Sequence, residues 1–311
     1  MITVICIIFF IGVGMGWRLF NARSKRRGKG ISLLVPFYCM DKTNQRWKNW
    51  EWLRAYWEYH LPEAEIIIGN DYVGMESGLP FSKSCAVNNA ASRASGDVFV
   101  IVDADGYISV ESVLKAVNEI REAESKKKKL WFVPYRNFYR LTPEASQLLL
   151  NSSPKNPYPF PEPPNAEHLQ VTTGHQQGHW FGAVIQIMSR RAFEEVGGFD
   201  TRFRGWGGED HAFLKALDTL YWPHKTINSQ VLHVWHPMFS PQGAGEWVDW
   251  KNRMWEGQLD RGANDALSGK YYKYTGDIKG MRELVNAGLD IPEIEEIAYE
   301  RPSINNSGKS I

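Results

Sequence analysis

Residues Asp103, Ala104 and Asp105 close a run of five apolar residues, Val98-Phe99-Val100-Ile101-Val102. Two carboxylates held one residue apart repel each other unless a positive charge lies between them, and hard oxygen ligands of this kind suit Mg²⁺ or Mn²⁺ bridging to a phosphate. The apolar run reads as a strand buried on both faces, as in a parallel sheet flanked by helices, and in such sheets ligands bind beyond the carboxyl ends of the strands. A plain turn capped by the two aspartates is the alternative. A calcium loop fails, because neither phasing puts an acid at loop position 12, where Leu114 or Ser112 falls.

Three further groups of residues could join that chemistry. Gly205-Trp206-Gly207-Gly208-Glu209-Asp210 sets three glycines around a tryptophan and then opens a helix with two acids. Such a backbone can approach a ligand closely or move, although the acids could equally serve only the helix dipole. No Gly-Lys-Ser/Thr follows, so it is not a phosphate-binding P-loop. Leu232-His233-Val234-Trp235-His236-Pro237 supplies two histidines, and its β-branched neighbours favour a strand, on which the rings diverge and one of them can reach a metal. Lys83, before the helix that precedes the apolar strand, is either a surface lysine or a diphosphate partner.

The elements that must position these groups alternate between short apolar runs and helical periodicity, the pattern of βαβ units and a mostly parallel sheet. Strands are expected at Ile31–Phe37, Glu65–Ile68, Val98–Val102, Leu130–Pro134, Phe181–Met188 and Val231–Trp235. Helices are expected at Asn44–His60, Ser84–Ala94, Val110–Ile120, Arg190–Val196 and Glu209–Leu220. The turn Gly69-Asn70-Asp71 leaves another carboxylate at a strand end. Six prolines between 154 and 164 make a stiff connection between a half at 31–164 and a half at 165–262. The tail, 263–311, is polar and partly disordered, with one helix near Met281–Ala287.

A chain of 311 residues can bury a large core, and 36 basic against 35 acidic residues gives no overall pull toward nucleic acid. Cys6, Cys39 and Cys85 have no metal-ligand spacing and argue for a reducing compartment. Most of the thirteen tryptophans are expected in the core, with those on exposed loops left for sugar stacking. Residues 1–17 form an apolar stretch slightly short of the roughly 20 residues that span a bilayer. The linker 18–30 then carries Arg18, Arg23, Lys25, Arg26, Arg27 and Lys29. By the positive-inside tendency this is a single-pass membrane anchor with the catalytic part on the cytoplasmic side.

The motifs resemble, in their order, those of metal-dependent glycosyltransferases of the GT-A fold: Val35-Pro36-Phe37, Pro80-Phe81-Ser82-Lys83 with Asn88, Val102-Asp103-Ala104-Asp105, Phe181-Gly182-Ala183, Gly198-Phe199-Asp200 and Gly205 to Asp210. The N-terminal part is similar to family 2 glycosyltransferases. The C-terminal half resembles the galactosyltransferase C-terminal domain shared by β-1,4-galactosyltransferases and polypeptide N-acetylgalactosaminyltransferases. The resemblance covers about residues 31 to 240 and implies a Rossmann-like α/β fold. It further implies that Asp103 and Asp105 form the Asp-x-Asp motif, the second chiefly on Mn²⁺ (or Mg²⁺), and that His233 or His236 completes the metal site. Pro36, Phe37, Asp71 and Lys83 fall where such enzymes hold uridine and diphosphate, and Trp206, Gly208, Glu209 and Asp210 fall in the acceptor loop. Two departures stand out: His211 replaces a third acid, and Lys83 replaces an arginine, keeping charge but losing the bidentate fork.

Transfer from a UDP-sugar to a hydroxyl of a protein, glycan or lipid-linked sugar follows from this resemblance, with Asp210 as base and Glu209 as its hydrogen-bonding partner. Inversion and retention both stay open. A glycosidase is disfavoured, because its two acids must flank a sugar ring rather than share a turn. A membrane-tethered carbohydrate-binding protein with a degenerate site is the competing reading.

Overall fold

The structure is a computed structural model that describes residues 30–39, 41–77, 79–170, 184–237 and 261–289. Residues 1–29, which include the expected anchor and most of the basic linker, lie outside it, as do 171–183, 238–260 and 290–311. Among the described residues no helix is long and apolar enough to cross a membrane.

Strands β1 (Ile31–Pro36) and β3 (Val98–Val102) are buried at every position. This is what unbroken runs of Val, Ile and Leu require when helices cover both faces of a sheet. With β2 (Glu65–Gly69), β5 (Trp131–Val133), β7 (Ile185–Ser189) and β8 (Lys225–Thr226) they form a six-stranded sheet in the order β2-β1-β3-β7-β5-β8. β1 runs parallel to β2 and β3, and β5 parallel to β8, but β7 is antiparallel to both of its neighbours. The sheet is therefore mostly parallel, as expected, with β7 as its one reversed strand. Ile185, the first residue of β7, lies opposite Val102, the last residue of β3. The chain thus enters β7 at the carboxyl edge of the sheet and has to run back, a direction that an apolar pattern does not encode.

Helix α1 (Gln45–His60) starts at Asn44, whose side chain accepts from the Arg46 N–H, and ends before Pro62. It buries Trp50, Trp52, Leu53, Tyr56 and Trp57. A short α2 (Tyr72–Glu76) follows β2. Helix α3 (Lys83–Arg93) is capped by Ser82, which accepts from the Cys85 N–H, so the cap fixes where Lys83 starts. Next come α4 (Val110–Ser125), α5 (Pro143–Leu150), α6 (Arg190–Val196) and α7 (Glu209–Leu220). One continuous buried cluster joins the two sides of the proline-rich connection, from Leu33 and Trp57 to Trp131, Met188 and Leu217.

Three short strands were not expected from the sequence: β8, β4 (Gly106–Ile108) and β6 (Asn137–Arg140). They are too short to show a period. β4 and β6 flank β9 (Gln230–His233) in a second sheet, with Gly106 opposite His233. The polar tail holds two helices where one was expected, α8 (Arg261–Lys273) and α9 (Ile278–Leu289). Tyr271, Met281, Leu284 and Val285 belong to the same core as α7.

Gly69 ends β2 so close to α3 that an added Cβ would lie 1.9 Å from the carbonyl oxygen of Ala86. Gly69→Ala is expected to displace that helix and destabilise the fold by about 1–3 kcal/mol. A lower urea midpoint at unchanged slope is the expected readout, and an unchanged midpoint would show that the helix and strand do not approach this closely.

Candidate active site

The site assembles where strands end. Val102 closes β3, the Asp103 N–H donates to the Val184 carbonyl (2.8 Å), and the Gly106 N–H donates back to the Asp103 carbonyl (3.1 Å). This tight turn points Asp103 and Asp105 in different directions. The Asp105 carbonyl accepts from the Val234 N–H (2.8 Å), so the small sheet brings the histidine strand to the second aspartate.

Around Asp105 three ligand-type atoms converge. Its carboxylate lies 3.0 Å from His236 Nε2 and 3.8 Å from His233 Nε2. One ligand atom from each of the three residues lies within 4.8 Å of the others. The two rings were expected to diverge along a strand. They converge, with centroids 5.2 Å apart, because the strand stops at His233 and His236 lies beyond its end.

The donor set fits a divalent ion. Burial, only partly opposed by Asp105, drives the His233 pKa down to about 3, leaving the imidazole neutral, the form that ligates. His233 Nδ1 is buried without a hydrogen-bond partner. His236 Nδ1 lies 2.9 Å from the Pro237 carbonyl, a contact that orients the ring with Nε2 toward Asp105. Against the cost of burial, His233, His236 and Arg46 hold the Asp105 carboxyl well below the usual carboxylate range. Arg46 Nη1 is 3.8 Å from Asp105.

Asp103 belongs to a different constellation. Lys83 Nζ sits 2.6 Å from Asp103 Oδ1 and 2.8 Å from Asp210 Oδ1, bridging the end of β3 to the start of α7. The diphosphate role expected for Lys83 thus meets an ammonium already engaged by two carboxylates. Burial works against its charge, but Asp103, Asp210 and Glu209 push its pKa well above the ordinary value. The carboxyl of Asp103 is raised to about 7 by burial and by Asp210 and Asp105, in spite of Lys83. Glu209 is raised to about 7 by burial and by Asp210.

The remaining expected residues are spread around this core. Pro36 ends β1 opposite Gly69. Phe37 is buried against Trp47 and Trp50, with centroids 6.0 and 5.9 Å away, so its ring fills the core. The aromatic surface at that corner comes instead from Tyr38, stacked on Phe81 and edge-on to Tyr72. Asp71 is buried and accepts from the Ser82 N–H (3.0 Å) and from Arg204 Nη1 (2.8 Å). Gly208 (φ 92°) caps α7 in a conformation that suits glycine, and Trp206 is 62% exposed. Arg46 and Arg140 were not anticipated. A basic residue in the first turn of a helix, against the dipole, was the available signal for Arg46. Arg140, whose pKa is lowered by burial and raised by Asp105, lies on a strand too short to read.

One carboxylate and two imidazoles at a strand end thus lie beside an acid pair bridged by lysine, a grouping that could hold a divalent ion next to a proton acceptor.

 

Residues 174–219 match the family model described as the N-terminal domain of galactosyltransferase. The matched segment lies in the second half of the chain and ends within α7. The mouse (Mus musculus) chondroitin sulfate N-acetylgalactosaminyltransferase 1 is 34% identical over 77 residues, which is 24% of this chain and 14% of that protein. The chain therefore spans well under two thirds of the curated relative it matches. Among solved structures it is similar to the catalytic domain of Drosophila β-1,4-galactosyltransferase 7 in complex with xylobiose, at 13% identity and a TM-score of 0.35, over 67% of this chain and 72% of that one. A mutant of the same enzyme in complex with manganese, UDP-Gal and xylobiose is similar at 13% identity and a TM-score of 0.33, over 72% and 82%. The matched family model and the named relative are both those of glycosyltransferases, and the likeness to each covers less than half of this chain.

Two expectations follow from the geometry. Asp105→Asn should weaken Mn²⁺ binding, read by calorimetry, by at least about 10-fold, the scale set by supporting groups alone. Undiminished affinity would remove Asp105 from the metal site. Lys83→Met leaves Asp103 and Asp210 uncompensated and should destabilise the metal-free protein by on the order of 3 kcal/mol at pH 8. A carboxyl whose pKa rises on folding, from 3.8 to about 7 for Asp103, costs stability as pH climbs through that interval. The deficit of the variant should therefore shrink between pH 7 and pH 5, and denaturation at the two pH values in chelator checks the sign.

Proposed function

We propose that the chain transfers a hexose or N-acetylhexosamine from a UDP-sugar to a hydroxyl of a glycan, protein or lipid-linked sugar, in a reaction that depends on Mn²⁺ or Mg²⁺. The convergence of Asp105, His233 and His236 beside the Lys83-bridged acids carries this reading. Asp105 and the two histidines would hold the ion, which when bound neutralises charge gathering on the departing diphosphate. Arg46 adds positive charge on the same side. Asp210, paired with Lys83, accepts the proton of the acceptor hydroxyl as its oxygen attacks the anomeric carbon and the bond from that carbon to the diphosphate oxygen breaks. Glu209, whose pKa is raised to about 7 by burial and by Asp210, would serve as its hydrogen-bonding partner. Exposed Trp206 offers an indole face for the acceptor sugar.

The matched relative is named for N-acetylgalactosamine transfer in chondroitin sulfate, so UDP-N-acetylgalactosamine and UDP-galactose are the first donors to screen. We also propose that residues 1–17 tether the enzyme to a membrane with its catalytic part on the cytoplasmic side. A chain starting at Gly30 would then move from the membrane fraction to the soluble one.

Nucleoside diphosphate release with Mn²⁺ tests the reading. Asp105→Ala should abolish metal-dependent release, and full activity in that variant or in excess chelator would overturn the assignment. Asp210→Asn should lower kcat by about 10²–10⁴, the usual contribution of a positioned general base, with donor affinity nearly unchanged.

A further inference from the structure

Helix α8 lies beyond the span of the family match, yet it packs directly on the acceptor loop. Asn264, buried in that helix, donates from Nδ2 to the Arg204 carbonyl (2.8 Å) and to the Trp206 carbonyl (3.3 Å). One side-chain amide thus holds two carbonyls that flank Gly205. Just downstream, a Cβ added to Gly208 would lie 3.0 Å from Ser268 Cβ and 3.3 Å from the Asn264 carbonyl, so the helix leaves the loop no room on this side.

The opposite side of the loop is pinned to the donor half. The Gly205 N–H donates to the Phe81 carbonyl (3.0 Å), and Ser82 Oγ donates to the Phe203 carbonyl (2.7 Å). The loop is also fixed upstream. Tyr271 donates to Asp200 Oδ2 (2.8 Å), and Arg202 joins Asp200 to the Leu284 carbonyl of α9 (2.8 Å). Of these contacts, the amide of Asn264 is the one that fixes the backbone carrying Trp206 itself.

We infer that Asn264 is a positioning residue for acceptor binding: it sets the path of the backbone that presents Trp206 and, two and four residues on, Gly208 and Asp210. This rests on the transferase reading above. A displacement of about 1 Å in a positioned group can cost on the order of 100-fold, so loss of a clamp one step removed from the substrate should act on the acceptor and spare the donor.

The test uses the full chain with Asn264→Ala and Asn264→Asp, the latter keeping the shape but facing two carbonyls with a carboxylate. Asn264→Ser retains a donor and serves as the mild variant. UDP release from UDP-N-acetylgalactosamine and UDP-galactose is measured with Mn²⁺, with and without a chondroitin oligosaccharide or xylobiose as acceptor. The expected result is a rise of about tenfold in acceptor KM for the Ala and Asp variants, with donor KM and acceptor-free release within about twofold of wild type. The Ser variant should fall between. Amide hydrogen exchange over residues 205–208 should quicken in the Ala variant, and this readout needs no turnover.

Wild-type protein that releases no nucleoside diphosphate from either donor would overturn the transferase reading, and exchange at 205–208 would still decide whether Asn264 clamps the loop. Unchanged exchange overturns the inference. So does an unchanged acceptor KM, or a donor KM that worsens in step with the acceptor KM. Failure of all three variants to fold would make Asn264 a residue of the fold alone and would equally overturn it.

Discussion

Four carboxylates, those of Asp103, Asp105, Glu209 and Asp210, gather at one edge of the main sheet, and their mutual repulsion is the constraint that the surrounding structure answers. Lys83 spans two of them with one ammonium. Asp105 is met separately by two imidazoles and by Arg46. This division separates an acid met by imidazoles from acids bridged by a lysine within a single site. Without it, carboxylates this close would be strongly coupled, each ionisation opposing the next.

The division depends on backbone placement. The turn after β3 turns successive acids apart, and the second sheet carries His233 to Asp105 through the pairing of Gly106 with His233. Ser82 fixes the start of α3 by capping it and holds the Phe203 carbonyl with its own hydroxyl. A single hydroxyl therefore sets both where Lys83 begins its helix and where the glycine loop approaches it. Arg204 extends the same connection by reaching buried Asp71 from the loop.

Much of this was legible in the sequence where a period was long or a terminus was capped. Val98–Val102 and Glu209–Leu220 have the bounds their residues suggest, since one is an unbroken β-branched run and the other follows glycines into an amphipathic stretch. What escaped was relational. The direction of β7 depends on where the preceding chain arrives, and strands of two to four residues such as β8, β4 and β6 carry no measurable alternation. The engagement of Lys83 by Asp103 and Asp210 joins residues 127 apart in one of its two contacts. Phe37 was set beside uridine by the resemblance alone, and in the fold its ring packs against Trp47 and Trp50 of α1, a neighbourhood its own residue type did not announce. Asn264 sits in a polar segment whose one expected helix lay further on, so nothing local marked it.

The Ser82 to Phe203 hydrogen bond closes a span of 121 residues, and Asn49 reaches the Trp235 carbonyl across 186. Contacts of such sequence separation carry the largest loop-closure entropy and are made only after local helices and the adjacent β1–β2–β3 pairings have reduced the search. The contacts that assemble the site are thus among the costliest in chain entropy to close, and the site's geometry depends on the whole sheet standing behind it.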